Sequence, residues 1–167
     1  FHLFTHAMFK ALLFLGAGVV IHAVHSNDMK DMGGLRKQLP VTHITFLIAC
    51  LAIAGIPPLP GFFSKEEILL AAYNSNKMIF GIALFTSGLT AFYMFRLYFS
   101  IFWNKPASQS HHGKEGSFAL LFPLVVLAIG AVFAGFIPFG NYVSSDGLPL
   151  LTSLHLQFSI APVLIGI

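Results

Sequence analysis

Charge is what this sequence has least of. Asp, Glu, Lys and Arg together make up 9% of its 167 residues, against about a quarter in a soluble domain. A chain so poor in charge cannot cover its own surface in water. Cysteine is nearly missing too. Cys50 stands alone within an apolar run, which excludes a disulfide framework and a cysteine metal site. The net charge of +3 is small and spread over loops, so nucleic acid is not an expected partner. What abounds is apolar: residues AVILMFWYC account for 56%. Four stretches, 1–25, 41–73 (interrupted by prolines), 78–103 and 117–139, are long enough to consider as spans at about 20 residues each. A fifth begins near Leu154. The expected fold class is an all-α polytopic membrane protein, with the lipid bilayer as its solvent. The sequence opens and stops within apolar segments, as expected of an internal piece of a longer protein.

The loops supply an orientation. Segment 26–40 holds Lys30, Arg36 and Lys37, and segment 104–116 holds Lys105 and Lys114. Between the second and third spans there is only Lys77, and 140–149 has neither Lys nor Arg. The positive-inside rule then predicts loops 26–40 and 104–116 on the cytoplasmic side. Gly16, Gly18, Gly81 and Gly88 are expected to allow close helix contact. His111 and His112 read as a solvated loop, since no further ligands stand at suitable spacing.

Titratable residues inside the apolar stretches carry the chemistry. His2, His6 and Lys10 are spaced i, i+4, i+8. On a helix each such step drifts by about 40°, so the three share one face and span about 12 Å. A charged side chain at mid-membrane costs a few kcal/mol even on lenient scales, and so is expected to face a bundle interior, a partner or water. Histidine titrates near neutrality and a desolvated lysine can be shifted towards it. Such a row suits proton hopping better than metal binding, because His-x3-His supplies two ligands only. His22 and His25 fall near an interface. His43 suits a helix-to-helix hydrogen bond, and Arg96 is placed to snorkel.

The stretch GIPPLPGFFSKEEILL (55–70) breaks a helix. Pro57, Pro58 and Pro60 remove donors and clash with a continuing turn, and Gly61 frees the chain. The helix from Val41 is expected to stop near Ile56. A second half-helix is expected over 64–73, with Ser64 as N-cap and Glu67 at the capping-box position. Capping accounts for Glu67 without a function. Lys65 has no such account, because a cation near a helix N-terminus opposes the dipole. Either 60–67 lies at the outer interface, or the break lines a wet cavity. A Lys65 at an exit to the outside satisfies both.

FHLFTHAMFKALLFLGAG, then MGGLRK, GIPPLPGFFSKEEIL and TAFYMFRLYF, together resemble the largest antiporter-like membrane subunits of respiratory complex I, the subunit L/chain 5 family. The likeness runs from Phe1 to about Trp103 and weakens beyond. The wording MGGLRK and GFFSKEEIL is nearer the bacterial members. The resemblance implies part of a 14-helix antiporter-like fold with inverted repeats and a discontinuous helix. Residues 1–103 would be three helices of the second repeat, the second of them broken near 57–61. Residues 104–116 would be a cytoplasmic loop, 117–139 a further helix, and 140–167 an outer loop and the start of another.

Roles follow by resemblance, position by position. Lys10 matches the lysine of the intramembrane polar axis, and His2 and His6 match the histidines preceding it. Lys65 matches the lysine on the broken helix, at the outer end of the proton path. Glu66 stands where the family has an acidic neighbour, often Asp. The implied function is proton translocation in the bacterial inner membrane, as a translocase subunit of NADH:quinone oxidoreductase driven by remote redox chemistry. NADH, FMN, iron–sulfur clusters and quinone are then expected in partner subunits and no cofactor in this chain. Other membrane subunits of complex I are the expected partners, and protons the transported ion. The rival reading is the A-type subunit of a multisubunit Na⁺/H⁺ antiporter. A third is a passive scaffold whose polar residues only hold helices together.

Overall fold

The computed structural model describes residues 1–104 and 115–136, and among these all regular structure is helical. The expectations for residues 105–114 and 137–167, His111 and His112 included, lie outside the described residues. Five α-helices follow one another: α1 (His2–Val24), α2 (Pro40–Ala54), α3 (Pro60–Ser75), α4 (Lys77–Phe102) and α5 (Phe118–Phe133). Helices α1 and α4 are long and apolar enough to cross a membrane. With 15 residues, α2 is about 22 Å long, short of the ~30 Å hydrocarbon core. Its path across continues only through the break and α3.

Local chemistry sets each boundary. Helix α1 stops where His25 turns left-handed and its N–H closes onto the Ile21 carbonyl at 2.8 Å. Pro40 occupies the first turn of α2, where its missing N–H costs nothing. Gly55, at φ 81°, ends α2. Its N–H bonds the Ala52 carbonyl while that of Ile56 reaches back to Leu51, the two bonds of a Schellman motif. Pro57 and Pro58 fill the gap, and the peptide between them is cis. Asn76 caps α4 by accepting the Met78 N–H at 2.8 Å. Pro123 lies within α5, and a 3₁₀ turn, Ala134–Phe136, follows that helix.

Helix α3 starts at Pro60, four residues ahead of the expected 64–73 half-helix. Proline at the first helical position brings its own φ, so the turn needs no serine cap. Ser64 is therefore not the N-cap: it lies inside the helix and is buried. Glu67 is correspondingly no capping-box partner, and it is exposed.

Helix α2 is the hub and touches the other four. Between α1, α2 and α5 lie Phe9, Leu12, Ala49, Ala52, Leu124 and Ala128. Between α1, α2 and α4 lie Val20, Phe46, Cys50, Tyr98 and Phe102, roofed by Leu35 and Leu39 of the first loop. Gly16 permits the α1–α2 approach, since a β-carbon there would meet the Phe46 ring at 2.9 Å. Gly18 and Gly81 face open space instead, with nothing within 4 Å. The tightest contact is at the break. A β-carbon on Gly61 would collide with the Ala52 carbonyl oxygen, so α3 rests directly on the backbone of α2. Most of α4 stays uncovered, including Ile82, Phe85 and Phe92.

Two contacts tie the first loop to the ends of α4 and α5. The Arg36 guanidinium lies 4.1 Å from the Trp103 ring, a cation–π distance. Glu115, just before α5, accepts the Thr42 N–H at 2.8 Å and the Thr42 hydroxyl at 3.3 Å. That carboxylate satisfies a free donor in the first turn of α2 and suits its positive end. The start of α2 and the ends of loops 26–40 and 104–116 therefore lie on one face.

Candidate functional site

The proline break brings α1 and α3 together over their polar residues. On α1 the rings of His2 and His6 stand 5.6 Å apart, and His6 meets the Phe9 ring edge-on at 5.2 Å. His2 Nδ1 then makes a 2.9 Å hydrogen bond across to the Ser64 hydroxyl on α3. Thr5, one turn along α1, completes the contact: its hydroxyl lies 3.0 Å from the His2 carbonyl and 3.4 Å from Ser64 Oγ. Thr5 and Ser64 are both buried. The bridge is thus shielded although both histidines are only half-buried.

Lys65 follows Ser64 and turns the other way. Its ammonium donates to the Ile53 carbonyl in the last turn of α2 at 2.6 Å, and to the Ser87 hydroxyl of α4 at 3.4 Å. The dipole objection to this lysine disappears in three dimensions. Lys65 lies beyond the first turn of α3, and its charge sits at the carbonyl end of α2, where a cation is favourable. The Schellman bonds take up the Leu51 and Ala52 carbonyls, and the lysine takes up Ile53, so the cut end of α2 is closed in part by a titratable side chain. The Lys65 stem does not itself demand glycine at position 55, since a β-carbon there would lie 3.4 Å from Lys65 Cδ, an ordinary contact; the φ of 81° does.

The remaining named residues are placed less centrally. Lys10 is on α1, two turns beyond His2, and is exposed. Glu66 is half-buried. His43 has the helix-to-helix role read from its sequence context: its Nε2 and the Tyr98 hydroxyl are 2.6 Å apart, and the Trp103 indole donates to that hydroxyl at 3.3 Å. Arg96 is exposed on α4. Among the described residues no three His, Cys, Asp or Glu side chains are placed to share a metal ion.

Four partners escaped the sequence: Thr5, Ser64, Ser87 and the Ile53 carbonyl. Hydroxyls on apolar helices are common as packing, and a backbone carbonyl has no sequence signature at all. Thr5 did carry one weak signal, as its i+3 spacing places it beside His2.

The chain is similar to several known proteins. Residues 1–90 match the family model described as NADH:quinone oxidoreductase/Mrp antiporter, TM. NAD(P)H-quinone oxidoreductase subunit 5, organellar chromatophore 1, of Paulinella chromatophora is 45% identical, over 84% of this chain and 26% of that protein. NADH-quinone oxidoreductase subunit L of Rickettsia bellii is 39% identical over 100% of this chain and 29% of its own length. A solved structure, that of the membrane-bound sulfane sulfur reductase, an archaeal respiratory membrane complex, superposes with a TM-score of 0.75 at 31% identity. That match covers 80% of this chain and 22% of the other. The chain spans about a quarter of the length of the curated relatives it matches.

Proposed function

The chain belongs to the NADH:quinone oxidoreductase/Mrp antiporter transmembrane family, and we propose that it is part of a proton-translocating membrane subunit of NADH:quinone oxidoreductase. The observation that carries this reading is the closure of the broken helix by Lys65, whose ammonium binds the Ile53 carbonyl at 2.6 Å. A passive scaffold has no need of a titratable group there, because a Schellman turn already ends the helix. The His2–Ser64 bond continues the polar path from the break onto α1.

Protons enter from the cytoplasmic side, pass Lys10, His6 and His2, and leave past Lys65 on the opposite side. Glu66 stands beside that exit. The exposed Lys10 needs cover at membrane depth, and the longer protein supplies it, since three quarters of the relatives' length lies outside this chain. The common face of loops 26–40 and 104–116, joined by Arg36–Trp103 and Glu115–Thr42, supports their shared cytoplasmic location in a bacterial inner membrane. NADH oxidation and quinone reduction belong to other subunits of the complex, which hold FMN and iron–sulfur clusters. This chain supplies the ion path.

The family description names the Mrp antiporter as well, and that reading is a sodium–proton exchanger without redox coupling. The Paulinella and Rickettsia relatives carry quinone oxidoreductase names, which favours the first. The two separate in inside-out vesicles containing the full-length protein and its complex. NADH-driven acidification of the lumen supports the redox-coupled pump. Proton movement driven by a sodium gradient and indifferent to NADH replaces it with the exchanger.

A further inference from the structure

The Ser64 hydroxyl can meet its neighbours in two ways, and the proton on His2 Nδ1 selects between them. Its hydroxyl has one proton to donate and two lone pairs. Three groups surround it: His2 Nδ1 at 2.9 Å, the Thr5 hydroxyl at 3.4 Å and the Gly61 carbonyl at 3.4 Å. If Nδ1 is bare, it accepts the serine proton, and Gly61 loses that donor. If Nδ1 carries a proton, the ring donates to Ser64 Oγ, and the serine proton turns to the Gly61 carbonyl. At 1% exposure for Ser64 and 0% for Thr5, bulk water does not compete for either arrangement. The one bond made or broken is the N–H at His2 Nδ1, whose proton arrives or leaves along the path; at Ser64 the hydroxyl only rotates.

The far end of that rotation is a sensitive place. Gly61 is the residue by which α3 rests on the Ala52 carbonyl, and the next residue after Ser64 is Lys65. The titratable groups facing His2 include His6 on its own helix and Lys65 on α3. Thr5 shares its proton between the His2 carbonyl and Ser64, which holds the serine against α1.

We propose that Ser64 is a positioning residue of the proton path, whose hydroxyl reorients with the proton on His2 Nδ1 and carries that state to the first turn of α3, with Thr5 steadying it. This rests on the proton-translocating reading above. Neither residue contributes a charge, and neither was marked by the sequence pattern as more than a cap or a packing hydroxyl.

The test uses the full-length protein in its assembled complex, with protons moved per NADH oxidised measured in inside-out vesicles. Ser64→Ala is expected to lower that ratio below the wild-type value while quinone reduction continues. Ser64→Thr is expected to restore it. In a His2→Asn background, Ser64→Ala is expected to add nothing further, because the two act as one unit; a merely structural serine gives additive losses. Thr5→Val decides the matter if Ser64→Ala does not assemble, with a loss in the same direction expected. A wild-type ratio in Ser64→Ala or, failing its assembly, in Thr5→Val overturns this inference, as does additivity with His2→Asn. Lysine variants run alongside keep the two proposals apart. If Lys65→Ala stops pumping while Ser64→Ala does not, this inference alone falls. If the lysine variants pump normally, the translocation reading falls first.

Discussion

Lys65 and Ile53 are bound across a gap between two helices: the ammonium of one closes the last turn of the other at 2.6 Å. The pairing joins a titratable charge to a helix end. A cation at a carbonyl terminus is worth about 0.3–2 kcal/mol, and that interaction is lost when the lysine gives up its proton. Protonation of Lys65 is thereby linked to the hold of α3 on α2 through Ile53, and on α4 through Ser87. Loss of the Lys65 proton therefore loosens the break itself.

The contact that keeps the break closed is steric. Gly61→Ala places a β-carbon where the Ala52 carbonyl oxygen already is, and both groups are backbone-fixed. Overpacking of this kind costs about 1–3 kcal/mol or more. The expected outcome is a lower yield of assembled complex and a lower thermal-inactivation midpoint. An unchanged midpoint would mean that α3 does not rest on α2 as described.

Glu115 acts as a remote cap for α2 through Thr42. Removing such a cap costs about 1 kcal/mol, so Glu115→Ala is expected to lower the midpoint modestly. Glu115→Gln keeps an acceptor and loses only the charge, so its loss is expected to be smaller. Equal losses would show that the charge, and not the hydrogen bond, carries the effect.

Tyr98→Phe removes the hydroxyl that joins His43 and Trp103. The groups left behind, His43 and Trp103, are only part-buried or exposed, so the loss is that of a net hydrogen bond, about 0.5–1.5 kcal/mol. Stability is expected to fall by that order in thermal inactivation, while protons moved per NADH stay near the wild-type ratio. A fall in that ratio at normal stability would make His43 part of the path instead.

How far the sequence reveals this site depends on which interaction forms it. The row of His2, His6 and Lys10 is legible because helical spacing alone puts them on one face. The prolines announce a break for the same local reason. Ser64 misleads: Ser-x-x-Glu matches a capping box, but Pro60 starts the helix a turn earlier and turns the supposed cap into a buried bridge. Lys65 misleads as well, since its local helix argues against a cation and a different helix welcomes it. The Ile53 carbonyl and the Glu115–Thr42 pair are tertiary facts, the latter spanning 73 residues. No local pattern encodes them.

The central claim is that Lys65 works in proton translocation. The most direct measurement is protons moved per NADH oxidised in inside-out vesicles, for the full-length protein carrying Lys65→Ala or Lys10→Ala, with quinone reduction and assembly followed in parallel. The account predicts an assembled complex that still reduces quinone while the proton ratio falls in both variants. A wild-type ratio at wild-type turnover in both would contradict it, and would leave Lys65 as a structural plug for the end of α2.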